Sequence, residues 1–144
     1  MGLRDFPMLP EPAKYFNSIS ELVFDLNYEL RINMHHILDG AGENLLRIPE
    51  LVRGQPFLAT LFLGAVENAK KQIQQNYKTA VPQYYQKQIQ FLLPICLLNL
   101  EKPDLALAVS RQDGFYIGHT CLTLEMAYNN ARLIAKPMSD WLVV

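Results

Sequence analysis

The sequence predicts an α+β fold: a single domain with a mixed or antiparallel sheet, one long central helix and a C-terminal helix. Three observations carry this reading. Apolar residues alternate with polar ones over residues 28–34, the period of a half-buried strand. Over residues 57–76 the apolar and small residues recur every three to four positions, the period of a helix with one buried face. Gln112-Asp113-Gly114 then separates two strand-like runs, as a hairpin turn does. With 144 residues, half of them hydrophobic, the chain has the length of one ordinary domain and enough apolar surface for a core. A disordered chain is excluded as the main state.

The elements follow in order. Pro7, Pro10 and Pro12 crowd residues 1–20, so this part is expected to be an extended lead-in, with residues 21–144 forming the domain. Leu22-Val23-Phe24 is a candidate short strand, and Asp25-Leu26-Asn27 a turn. Tyr28, Leu30, Ile32 and Met34 form the buried face of the next strand. Asp39-Gly40-Ala41-Gly42 punctuates the chain, and residues 43–51 suit a short helix limited by Pro49. After the central helix, residues 76–85 read as a connecting loop. Residues 89–98 are almost wholly apolar, a strand covered on both faces, with Pro94 marking a bulge or an edge. In the hairpin, Leu105, Leu107 and Val109 share one face and Ala106, Ala108 and Ser110 the other. Small residues there call for a closely packed helix or a second chain. Thr123 is a candidate N-cap for a helix running to about Ala135, stopped by Pro137. Trp141 and Leu142 are expected to tuck the tail back.

Composition excludes several functions. The net charge of −1 argues against a generic polyanion binder. No apolar run reaches the roughly 18 residues of a membrane span, and the first residues lack a signal-peptide core. A soluble cytoplasmic protein is expected. Cys96 and Cys121 sit among apolar neighbours, as buried thiols do. Gly40-Ala41-Gly42 lacks the third glycine of a dinucleotide fingerprint, and no phosphate-loop lysine follows, so no cofactor is expected. His35 and His36 close the first strand region, and with Asp39 they do not complete a zinc spacing, so no metal is expected. On a regular strand His119 and Cys121 share a side. With no oriented base or oxyanion hole in view, Cys121 reads as a core thiol rather than a nucleophile.

The near-neutral total conceals blocks of charge. Residues 1–67 hold five basic and nine acidic groups, residues 68–100 four lysines and no acid, and residues 101–144 four basic and five acidic groups. The basic block contains Lys78 and Tyr77, Tyr84 and Tyr85, with seven glutamines between Gln72 and Gln90. Lysines attract phosphates and aromatic faces stack bases, so this mixture suits RNA or a nucleotide. A solvated helix face followed by a polar connector accounts for it equally well. Two adjacent asparagines, Asn129 and Asn130, sit inside the last helix, where each costs about half a kcal/mol relative to alanine. Asn129 shares a face with Glu125 and Arg132. Arg132 is a fork donor for phosphate or carboxylate, or the partner of Glu125.

Several segments together resemble a bacterial domain family of unknown function. They are the stretch Tyr77-Lys78-Thr79-Ala80-Val81-Pro82-Gln83-Tyr84-Tyr85, the run Ile89-Gln90-Phe91-Leu92-Leu93-Pro94, Asp104-Leu105-Ala106-Leu107-Ala108-Val109, and Leu122-Thr123-Leu124-Glu125-Met126-Ala127-Tyr128-Asn129-Asn130-Ala131-Arg132-Leu133, with Glu11-Pro12-Ala13-Lys14-Tyr15-Phe16 and Leu30-Arg31-Ile32-Asn33-Met34-His35-His36-Ile37-Leu38 nearer the N-terminus. The resemblance spans nearly the whole chain. It implies RNA-related settings, since such domains occur beside RNA-binding modules, and it implies no catalytic residues.

The candidate ligand-binding residues are therefore Lys78, Gln83, Tyr84, Tyr85, Arg111, Asn129 and Arg132. Three functions fit them. The first is an RNA- or nucleotide-binding accessory domain with an anion site. The second is a metal-independent phosphodiester-processing enzyme, in which Lys78, Arg111 or Arg132 stabilises charge and His119 or a tyrosine moves the proton. The third is a homo-oligomeric interaction module.

Overall fold

The computed structural model describes residues 23–39, 46–85, 88–131 and 141–142. The expected lead-in over residues 1–20 lies outside the described residues. Five strands form one mixed sheet: β1 (Glu29–Ile32), β2 (Val81–Tyr85), β3 (Gln88–Ile95), β4 (Leu105–Arg111) and β5 (Phe115–Leu122). Their order in space is β1-β5-β4-β3-β2. β1 runs parallel to β5, and the other three pairings are antiparallel. Helix α1 (Leu58–Gln75) covers one face, and α2 (Leu124–Ala131) packs on the other.

The α1 face holds the main core. Phe62, Ala65, Val66, Ala69 and Ile73 come from the helix, spaced three to four apart. Phe91, Leu93, Leu105, Leu107, Val109 and Tyr116 come from the strands. Phe24 is fixed here by its ring: it stacks on Tyr116 with centroids 4.3 Å apart and meets Phe91 edge-on at 5.6 Å. The Asp25 N–H donates to the Tyr116 hydroxyl at 2.8 Å. Phe24 is thus held by aromatic packing, and residues 23 and 24 are not the short strand their apolarity predicted; Leu22 lies outside the described residues. The turn at residues 25–27 is present, closed by Tyr28 N–H to Asp25 O at 3.2 Å.

The opposite face is built of small residues. Ala106 and Ala108 of β4 meet Ala127 and Ala131 of α2, with Val81, Leu92, Leu122 and Leu142 around them. The face that the sequence leaves to a helix or a second chain is taken by a helix. Short side chains let helix and sheet approach closely without voids. The Thr123 Oγ1 accepts from the Met126 N–H at 3.2 Å, the expected N-cap. The helix beyond Ala131 lies outside the described residues. Leu142 is fully buried in this cluster, and the Trp141 indole N–H donates to Thr79 O at 2.7 Å. The tail does return to the domain.

Two sequence expectations are corrected. Residues 81–85 are not loop but an edge strand, in register with β3 from Val81↔Leu92 to Tyr85↔Gln88. Pro82 is tolerated because an edge strand has one unpaired side. His35 and His36 do not end a strand: they open a π-helical turn, His35–Asp39, after Asn33 donates its N–H to Gly118 O at 2.8 Å. Pro94 behaves as an edge residue. It pairs with Ala106 on β4, while β2 ends two residues earlier, opposite Leu92.

The hairpin turn forms as predicted. Gly114 takes φ +86°, the left-handed region that glycine enters without strain, and Gln112 N–H bonds Phe115 O at 2.7 Å. Further along, the register slips. Val109 pairs with Gly118, but Ala108 pairs with Thr120, leaving His119 as an extra residue in β5.

The tight Ala face yields a test. Ala106→Leu adds three carbons where the sheet meets α2, and overpacking of this kind costs about 1–3 kcal/mol. We expect a lower urea midpoint with an unchanged m-value; an unaltered midpoint would show that the interface is loose.

Candidate functional site

The register slip decides which side chains can share a site. Before it, Tyr116 and Gly118 face α1; a Cβ on Gly118 would stand 3.1 Å from Leu107 and 3.2 Å from Ile32. After it the alternation is inverted: Cys121 joins the α1 core, and Leu122 the α2 cluster. His119 and Thr120 consequently both line the α2 side. The expectation that His119 and Cys121 share a face is overturned, because it assumes an unbroken two-residue period.

Beside α2 the sheet carries a cavity of ≈ 350 Å³. Gln83, Gln90, Ala108, His119, Thr120 and Leu122 form its sheet wall, and Met126 and Asn130 its α2 wall. His36, from the π turn, and Arg47 complete it. Gln83, Gln90, Ala108 and Leu122 are buried, Arg47, His119, Thr120 and Asn130 half-buried, and His36 and Met126 exposed. Apolar and amide groups therefore lie deep, and an imidazole lies at the mouth.

The buried amides form a row across three strands. Gln83 Nε2 donates to Gln90 Oε1 at 2.7 Å, and Gln90 Nε2 donates to Ser110 Oγ at 2.8 Å. The register places these residues side by side, Gln83↔Gln90 and Gln90↔Ser110. Gln83 is 1% exposed, yet its Oε1 has no hydrogen-bond partner. A buried acceptor without a donor costs about 1–3 kcal/mol.

Charge on the described lining residues is of one sign. Arg47 Nη1 donates to Cys121 O at 2.6 Å, which anchors the guanidinium at the wall. No Asp or Glu is among the described lining residues. No group of three His, Cys, Asp or Glu among the described residues could hold a metal ion. Cys121 is not available for chemistry. Burial pushes its thiol from the ordinary 9.0 up to about 12, although the Arg47 charge acts in the opposite sense. Cys96 is also raised, by burial and then by the Asp104 charge. Both cysteines are free and buried, as their apolar neighbours predicted.

The structure brings one of the seven predicted ligand residues, Gln83, into the cavity. Lys78 is exposed in the 3-10 turn Tyr77–Thr79 just past α1, where a cation suits the carbonyl end of a helix. Arg111 lies over the Tyr28 ring, 4.6 Å from its centroid, and donates Nη2 to the Tyr28 hydroxyl. It follows Val109 in the strand period, so it belongs to the α1 face, away from the cavity. Asn129 is exposed on α2; its neighbour Asn130 lines the cavity. Tyr84 and Tyr85 pair with Ile89 and Gln88, and their side chains lie outside the described set. Arg132 lies outside the described residues.

Sequence reading missed Arg47, Thr120 and Gln90 as site residues, and set His36 aside with the metal question. One signal was present: Gln90 interrupts an otherwise apolar run. Arg47 carried none, since nothing local ties it to a strand 74 positions away.

A family model described as a domain of unknown function (DUF3825) matches residues 2–141. The chain is a DUF3825 domain. The DUF3825 match spans all five strands and both helices, in accord with the resemblance to an uncharacterised domain family. No curated protein and no solved structure matches this DUF3825 chain. Among the described residues, no helix is long and apolar enough to cross a membrane.

The thiol environment gives a test. The unfolded chain ionises Cys121 near 9 and the folded chain only near 12. The unfolded state therefore holds fewer protons between these values, and stability should fall as pH rises from 9 towards 12. Burial raises Tyr116 as well, which acts in the same sense. We expect urea midpoints to drop above pH 9, with a shallower drop in Cys121→Val; native Cys121 should resist thiol reagents at pH 8.

Proposed function

We propose that the cavity binds a nucleotide unit, free or within single-stranded RNA. The observation that carries this reading is the pairing, in one cavity, of a fixed guanidinium with a buried amide whose acceptor is unpartnered. Arginine recognises phosphate through charge and a fork of donors. Amides recognise the polar edges of bases. The volume lies within the roughly 300–1,000 Å³ range of small-ligand sites, enough for one nucleotide unit rather than a duplex.

The division of labour follows from depth. Gln83 is buried and would take a donor from the base edge. Asn130, half-buried on α2, would meet the same ring from the opposite wall. Arg47 and His119 would face the phosphate, with His36 at the mouth where the strand leaves. Lys78 and the tyrosines of the basic block are not needed for this core site; Lys78 is free to add a weak, salt-sensitive contact along a longer strand.

Titration of a labelled short oligoribonucleotide at several salt concentrations tests the reading. Affinity should fall as salt rises, because each phosphate contact releases counterions. Arg47→Gln should weaken binding and flatten the salt slope by about one contact. Gln83→Leu should cost about 1–3 kcal/mol of affinity and leave the slope unchanged. Binding that neither substitution alters would place the RNA elsewhere on the surface.

A further inference from the structure

We infer that the cavity is also a site for RNA transesterification, with His36 and His119 as its proton-transfer pair. The inference rests on the nucleotide-binding reading and adds an activity to it. Three groups carry it. His119 is the extra residue at the register slip in β5 and lines the cavity, and slips of this kind are common beside working sites. His36 reaches the same cavity from a separate element, the π turn after β1, a conformation that recurs at functional sites. Arg47 lies on the same wall, held by Cys121 O. These three are the ionisable side chains among the described residues lining the cavity.

The chemistry needs two groups able to gain and lose a proton near neutral pH, and imidazole is the side chain suited to that. One imidazole, neutral, takes the proton of the 2′-hydroxyl as that oxygen bonds to the adjacent phosphorus. The bond from phosphorus to the 5′ oxygen breaks. The other imidazole, charged, gives its proton to that leaving oxygen. The products are a 2′,3′-cyclic phosphate and a 5′-hydroxyl. One phosphorus–oxygen bond replaces another, one proton enters and one leaves the protein, and no water, oxidant or metal is consumed. Arg47 offsets the negative charge that grows on the non-bridging oxygens. The mechanism requires a 2′-hydroxyl, so the substrate class is RNA and not DNA.

A short oligoribonucleotide and its 2′-deoxy counterpart, each assayed for binding and for cleavage, decide the matter. The ribo strand should be cut to fragments ending in cyclic phosphate, with a chelator present and a bell-shaped pH dependence. The deoxy strand should bind and stay intact. His36→Ala and His119→Ala should each lower the rate at least 100-fold while shifting affinity less than tenfold. His36 is exposed, so its replacement leaves the core untouched, and His119→Asn serves as a second, polar replacement in the sheet. Binding of both strands with no cleavage would overturn the inference and leave the binding reading standing. Cleavage that survives in both histidine variants, or that the chelator abolishes, would overturn it too. Failure of the ribo strand to bind would overturn the binding reading, and the inference with it.

Discussion

β4 and β5 keep their register from the turn at Gly114 as far as Val109 and Gly118, and there a single extra residue, His119, enters β5. Strand side chains alternate, so one inserted residue exchanges the two faces for everything that follows. Were the alternation unbroken through His119, Thr120 and Leu122 would point at α1 and Cys121 at α2. With it, Leu122 seals the small-residue face, Cys121 enters the main core, and two consecutive polar side chains open on the same side. The Cys121 carbonyl then anchors Arg47. The cavity, its charge and the inert thiol behind it all follow from this insertion.

The two faces of the sheet are asymmetric for a related reason. The α1 face is filled by large side chains and an 18-residue helix, and little on it is left polar. On the other face, the eight described residues of α2 pack against small side chains of β4. Where alanine meets alanine, helix and sheet are close. Where Gln83, Gln90 and Ser110 take over, the same sheet becomes polar. A buried polar row is costly unless its groups are bonded, and in this row Gln83 Oε1 alone lacks a partner. Polarity of this kind contributes less to stability than an apolar row would.

Most of the architecture was legible because it rests on local periodicity. The long helix, the hairpin turn, the two faces of β4 and the Thr123 cap could all be read from spacing. Residues 81–85 escaped because a proline and two tyrosines in a short polar run resemble a connector; only the facing apolar strand makes them a strand. The insertion at His119 escaped because Gly118-His119-Thr120 has no composition that distinguishes an extra residue from a regular one. The charge block drew the eye to Lys78 and the tyrosines, whereas the cavity gathers Arg47, His36 and His119 from three separate elements. Gln83 was found because it lies in both patterns, and Asn130 was missed by one position because helix phase was taken from Glu125.

The Gln83–Gln90–Ser110 row has a property that its hydrogen bonds imply. Each member can give a proton to its neighbour or receive one: an amide by turning half a revolution, a hydroxyl by rotating its hydrogen. The row can run from Gln83 towards Ser110, as it does here, or in the opposite direction with the same two bonds. In the first state the inner end offers a lone pair, and in the second a hydrogen. The same point of the row can thus carry an acceptor or a donor, with no change in the number of its hydrogen bonds.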